Sequence, residues 1–206
     1  MIDLTSLAVT ALAFFVVAVS PGPANISNAA IAMSFGRKTS LVYGAGLSCG
    51  LVFWGLIAAS GMGAVLQSSL YVLMVLKVLG GLYLLWLAWQ SGRSALRSDA
   101  ERVSPPAKGR WFWRGLILNL SNPKSVIAWM AALSVGLGPE DGWVSVAVAT
   151  GVCIAAGFIN NALYSLLFSV SGMMSGYRRF RRWIDGVVAG LFAVAGLGLI
   201  KSAFAK

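Results

Sequence analysis

Apolar stretches of about twenty residues or more, parted by short polar connections, run through almost all of this 206-residue chain. They constrain the fold before any motif is considered. In hydrocarbon every backbone N–H and C=O must find its partner within the protein, and apolar runs this long meet that demand as helices. Charged residues make up 11% of the chain against 58% hydrophobic ones, too few to keep a water-soluble domain in solution. The spacing predicts helices over 4–35, 40–65, 70–91, 111–136, 143–170 and 183–204. An all-α polytopic membrane protein of six transmembrane helices is therefore expected, as one transmembrane domain over 1–206. No separate soluble domain remains to carry other chemistry.

The first run is too long for one straight crossing. At 1.5 Å per residue it would reach roughly 48 Å, against a hydrocarbon core of about 30 Å. Ser20-Pro21-Gly22-Pro23 lies within it, and each proline removes a donor and clashes with the preceding turn. A break near 21–23 removes the discrepancy. Ser121-Asn122-Pro123-Lys124 does the same to the fourth run, near 122.

Basic residues set an orientation. Arg37 and Lys38 follow the first run, Arg93, Arg97, Arg102, Lys108, Arg110 and Arg114 the third, and Arg178, Arg179, Arg181 and Arg182 the fifth. The connections after the second and fourth runs have no Lys or Arg, and the latter carries Glu140 and Asp141. This bias places the basic loops inside and both termini in the periplasm, although Lys201 and Lys206 oppose it. Three spans per half then make the halves inverted repeats, about 1–91 and 111–206, joined by an inside linker over 92–110 with Pro105-Pro106. Gly80-Gly81-Leu82-Tyr83 against Ala189-Gly190-Leu191-Phe192, and Pro23 against Pro123, supply the internal similarity. The net charge of +10 flanks apolar runs instead of striping a surface, so it reads as topology and not as nucleic-acid binding.

Matched helix breaks in two halves point to a midplane binding site. Pro is favoured at the first helical position, with Gly or Asn capping just before it, so Gly22-Pro23 and Asn122-Pro123 fit helices restarting inside the membrane. A restarted helix offers unpaired N–H groups and its positive dipole end to an anion. Asn25, Ser27 and Asn28 follow the first break; Asn119 and Ser121 precede the second, and Lys124 adds a full charge. Substrate contacts are accordingly expected at Pro21, Gly22, Pro23, Asn25, Asn28, Asn119, Asn122, Pro123, Lys124 and Asn160. A bare packing role for the prolines is the simpler reading of one kink, but two matched kinks surrounded by amides weigh against it. Of Asn160-Asn161, one is expected to bond between helices and one to face the cavity.

The run from Ser20-Pro21-Gly22-Pro23 through Gly36-Arg37-Lys38, Gly44, Gly46 and Gly50 resembles the first-span signature of LysE/RhtB-type amino-acid exporters. Leu118-Asn119-Leu120-Ser121-Asn122-Pro123-Lys124 resembles the second signature, and Lys77 through Tyr83 the third-span one. The similarity covers essentially the whole chain. It implies an exporter of amino acids or close derivatives in the bacterial inner membrane, coupled to protons. Where many members carry an acidic residue soon after the glycine that Gly50 resembles, this chain has Leu51 and Val52.

Ionisable residues near spans are functional candidates because burying charge is costly. Asp185 and Lys77 are the candidates for coupling, with snorkelling to the interface as the plainer alternative for both. With Asp185 the one carboxylate placed near a span, neutral or small polar amino acids are favoured over cationic ones. Membrane lipids are the remaining partner, and a homo-oligomer is compatible with such a chain. The glycines Gly44, Gly46, Gly50, Gly186, Gly190 and Gly196 read as close helix contacts.

The chain has no His, so the usual metal ligand and the usual nucleophile–base pair are missing, and neither a metal, a cofactor nor an enzyme activity is expected. An alternative is a membrane thiol–disulfide carrier in which Cys49 and Cys153 meet. Neither cysteine has the polar setting that makes a thiol reactive.

Overall fold

The computed structural model describes residues 4–68, 70–96, 109–137 and 141–204. The greater part of the linker, with Arg97, Arg102, Lys108 and Pro105-Pro106, lies outside the described residues, as do Glu140 and Lys206. Among the described residues seven helices follow one another: α1 (Leu4–Val19), α2 (Pro23–Ser68), α3 (Leu70–Leu96), α4 (Trp111–Leu120), α5 (Pro123–Gly136), α6 (Trp143–Leu167) and α7 (Met173–Phe204). Among the described residues there is no strand.

Both proline motifs break the chain where the sequence places them. Residues 20–22 separate α1 from α2, and residues 121–122 separate α4 from α5. Pro23 and Pro123 each open the following helix, where a missing N–H costs nothing. Asn122, extended at φ −91° and ψ 106°, caps α5: its side chain accepts from the Lys124 N–H at 3.1 Å.

Two boundaries differ from the periodicity. A connection was expected near residues 36–39, but helical structure resumes immediately after Gly36, whose φ of 81° and ψ of 172° turn the chain. That region of backbone space is essentially closed to side-chain-bearing residues, so one glycine does the work of a loop. α7 starts at Met173, ten residues before the expected 183. The arginines of residues 178–182 are helical because their charge bars them from hydrocarbon, not from a helix. α3 likewise runs five residues into the expected linker.

Packing joins α3 to α7, α2 to α4 and α6, and α1 to α5 and α6. Phe14, Trp129, Leu133, Val146 and Cys153 form one buried cluster, and Val17, Leu84, Ala128, Phe192 and Leu199 another. Trp129, fully buried, stacks at 4.7 Å on Phe14 and donates from Nε1 to the Leu51 carbonyl at 3.1 Å. Close backbone approach depends on glycine. A Cβ on Gly46 would meet the Phe112 carbonyl and one on Gly115 the Tyr43 carbonyl, so α2 and α4 cross on these two residues. Gly81 and Gly196 do the same for α3 and α7. Gly186 and Gly190, expected to make such contacts, have nothing within 4 Å, because they lie on the outward side of α7.

The outward surface is apolar: Leu12, Phe15, Phe53, Leu56, Leu82, Val187, Leu191, Val194 and Leu197 are all exposed. Such a continuous apolar surface belongs against lipid. Three helical segments, Pro23–Gly61, Trp143–Leu167 and Arg179–Phe204, are long and apolar enough to cross a membrane.

Candidate functional site

The end of α1 has a polar accounting problem, and its solution builds the site. The last carbonyls of a helix have no partner within it. Here Ser20 Oγ donates to the Val17 carbonyl at 2.7 Å, and Asn25 and Asn160 both donate to Ala18, at 2.6 and 3.2 Å. Tyr164 donates from its hydroxyl to Val19 at 3.0 Å. The Ser20 carbonyl accepts from Asn25 at 3.1 Å and from Lys124 Nζ at 3.2 Å. Lys124 Nζ also donates to Ser20 Oγ. Residues from α2, α5 and α6 thus converge on one break.

Lys124 sits one residue past the start of α5, so the second break delivers its amine to the first. A cation at the carbonyl end of α1 is favoured by that helix's dipole. Gly22 makes the approach possible: a Cβ there would stand 3.1 Å from Lys124 Nζ.

Beside these contacts lies a cavity of about 60 Å³, enough for a few waters, lined by Phe14, Ala24, Leu51, Asn119, Lys124 and Ser125 among others. Of the residues expected to contact substrate, Gly22, Asn25, Asn119, Asn122, Lys124 and Asn160 line it. Pro21, Pro23 and Pro123 do not; their part is to set the breaks. Asn28 does not either. It is fully buried and donates to the Asn161 carbonyl at 2.9 Å, in a polar cluster with Ser40 and Ser165 beneath Gly44. Asn160 and Asn161 both line the cavity and both bond between helices, Asn161 donating to Ser48 Oγ at 2.9 Å.

Two features of the cavity await a ligand. Asn119 Oδ1 is a buried acceptor without a partner. Its residue is 4% exposed and packs on Gly50. The first turn of α2, where N–H groups have no partner within the helix, lines the same cavity through Ala24 and Asn25.

Asp185 and Lys77 do not line the cavity. Asp185 is 2% exposed on α7, 3.5 Å from Arg181 Nε, while Arg181 also donates to Ser94 Oγ of α3 at 2.9 Å. Lys77 is half-buried on α3. Both cysteines are free: Cys49 is exposed and Cys153 lies buried among Phe14 and Trp129. Ser20 and Tyr164 are the site residues that sequence reasoning did not assign. Ser20 stood at the break; nothing local marks Tyr164, 145 residues from its acceptor.

The LysE type translocator family matches residues 15–203. The threonine efflux protein of Escherichia coli (strain K12) is 33% identical over 199 residues, covering 93% of this chain and 96% of that protein. That of Salmonella typhi is 32% identical over 200 residues, at the same coverage. The homoserine/homoserine lactone efflux protein of Salmonella typhimurium is 33% identical over 115 residues, 55% of each chain. No solved structure matches the chain.

Proposed function

The chain belongs to the LysE type translocator family, and from that premise we propose that it exports a small neutral or polar amino acid across the bacterial inner membrane in exchange for protons. Threonine and homoserine are the first substrates to try, because the relatives carry those names over most or half of their length. The observation that carries the reading is the cavity between the two breaks. It offers the start of α2 to a carboxylate and the unpartnered Asn119 Oδ1 to a further hydrogen-bond donor of the substrate, such as a side-chain hydroxyl. Among the described residues its lining holds no carboxylate, which disfavours lysine or arginine as substrate.

The fold supports the same reading. With α1 joined across its break to residues 23–35, and α4 to α5, the chain makes six spans. The pairings α1 with α5 and α2 with α4 fit an inverted repeat, as does α3 against α7. Loop charges then put both termini in the periplasm. The thiol carrier gains no support, since Cys49 and Cys153 lie in different surroundings.

Exchange in liposomes tests the function. Purified protein reconstituted with internal unlabelled L-threonine should take up labelled L-threonine saturably, homoserine should compete, and lysine should not. A protein that exchanges none of these amino acids, while inserted and folded, is not an exporter of this class.

A further inference from the structure

Four of the donors at the end of α1 are neutral: Ser20, Asn25, Asn160 and Tyr164. The fifth is the amine of Lys124. Lys124 lines the cavity and its acceptor Ser20 does not, so the lysine head stands between the two. A freed carbonyl at a helix C-terminus, beside a cavity, is also the setting that a substrate ammonium seeks. The amine of Lys124 occupies it.

We infer that Lys124 is the proton-coupling group of the exporter, its ammonium holding at Ser20 the acceptors that the substrate's ammonium takes, so that proton and substrate bind one at a time. This rests on the exporter reading above. Two cations in one cavity repel, and no carboxylate lines this one to offset them. Titratable or charged groups on the helices around α5 are Arg37, Lys38, Tyr43 and Cys49 on α2, Tyr71, Lys77, Tyr83 and Arg93 on α3, Arg114 on α4, and Cys153 and Tyr164 on α6. None of them lines the cavity, and Asp185 on α7 is tied to Arg181. Among the described residues that line the cavity, Lys124 alone is titratable.

The cycle balances. An amino acid entering from the inside displaces one proton from Lys124 to the inside and takes its place at the α1 end. On the outside the amino acid leaves and Lys124 takes up one proton. One proton moves in for each amino acid moved out, and one positive charge moves with it, so membrane potential drives export as well as the pH difference. Linkage makes the exclusion reciprocal: the substrate weakens proton binding by the factor by which the proton weakens substrate binding.

Two measurements test this, with L-threonine as the probe. In lightly buffered detergent with an indicator dye, wild-type protein should release up to one proton per threonine bound. Its affinity should weaken by about tenfold per pH unit on the acid side of the transition. In Lys124→Met, whatever threonine binding remains should release no proton, and accumulation in liposomes driven by an imposed pH gradient should be lost. If that variant fails to insert, the wild-type dye measurement decides alone. Threonine binding without proton release overturns the inference and leaves the exporter standing, as does gradient-driven accumulation by Lys124→Met. Proton release that vanishes in Asp185→Asn but persists in Lys124→Met moves coupling to α7 and overturns it too. If wild-type protein binds neither threonine nor homoserine, the exporter reading falls and takes this inference with it.

Discussion

Gly115→Leu is expected to leave the protein inserted but unable to hold its fold. The Cβ of the new side chain would stand 3.0 Å from the Leu47 amide and within contact of the Tyr43 carbonyl, and both are backbone. Neither can swing aside as a side chain tip would. α4 must therefore move off α2, and with it Asn119, which closes the cavity from that side. Overpacking of this kind costs about 3 kcal/mol or more when backbone blocks relaxation. A thermal unfolding profile in detergent, followed by size-exclusion fluorescence, should show a clearly lowered midpoint. An unchanged midpoint would mean that the helices cross elsewhere.

Gly22→Leu tests the site without breaking the fold. Its neighbour is the flexible end of Lys124, with Nζ at 3.1 Å and Cδ at 3.5 Å from an added Cβ. That end yields easily, so stability should change little. The leucine fills the space beside the breaks and drives the amine from Ser20. Threonine exchange should fall by at least about tenfold, the equivalent of roughly 1.4 kcal/mol, while membrane insertion stays at the wild-type level. The pair of variants separates two roles for glycine. Loss of stability in Gly22→Leu equal to that in Gly115→Leu would make the first break a packing feature only.

The helices and both breaks were legible because apolar length and proline act locally. Pro23 and Pro123 open their helices as their chemistry requires. Gly36 was less legible: a single glycine at positive φ turns the chain without the polar residues by which a loop is usually known. The start of α7 was hidden for a different reason, since arginines end a hydrophobic run without ending a helix. At the site, the amides around the breaks marked which residues gather, but not how they pair. Lys124 was expected to add a charge beside the second break, but nothing in the sequence signalled that its amine reaches Ser20, 104 residues away. Asn28 carries the same side chain as Asn25, and only the turn at Gly36 and the packing on α6 send it to the buried polar cluster. Asp185 reads as a lone acid until its neighbour on the same helix face, Arg181, is placed 3.5 Å from it. Partnerships across many residues leave no local trace in a sequence.

The amino acid is expected to bind in the cavity between the two breaks. Ser125 lines that cavity in the first turn of α5, is buried, and is nearly matched in shape by cysteine. With Cys49 and Cys153 replaced by Ala, Ser125→Cys should exchange threonine and react with a small methanethiosulfonate reagent. The rate of that reaction, measured with and without saturating L-threonine, is the most direct test. A severalfold slowing by threonine, absent with an amino acid that is not exchanged, is the result expected. Modification at an unchanged rate in saturating threonine, by protein that still exchanges it, would place the substrate elsewhere.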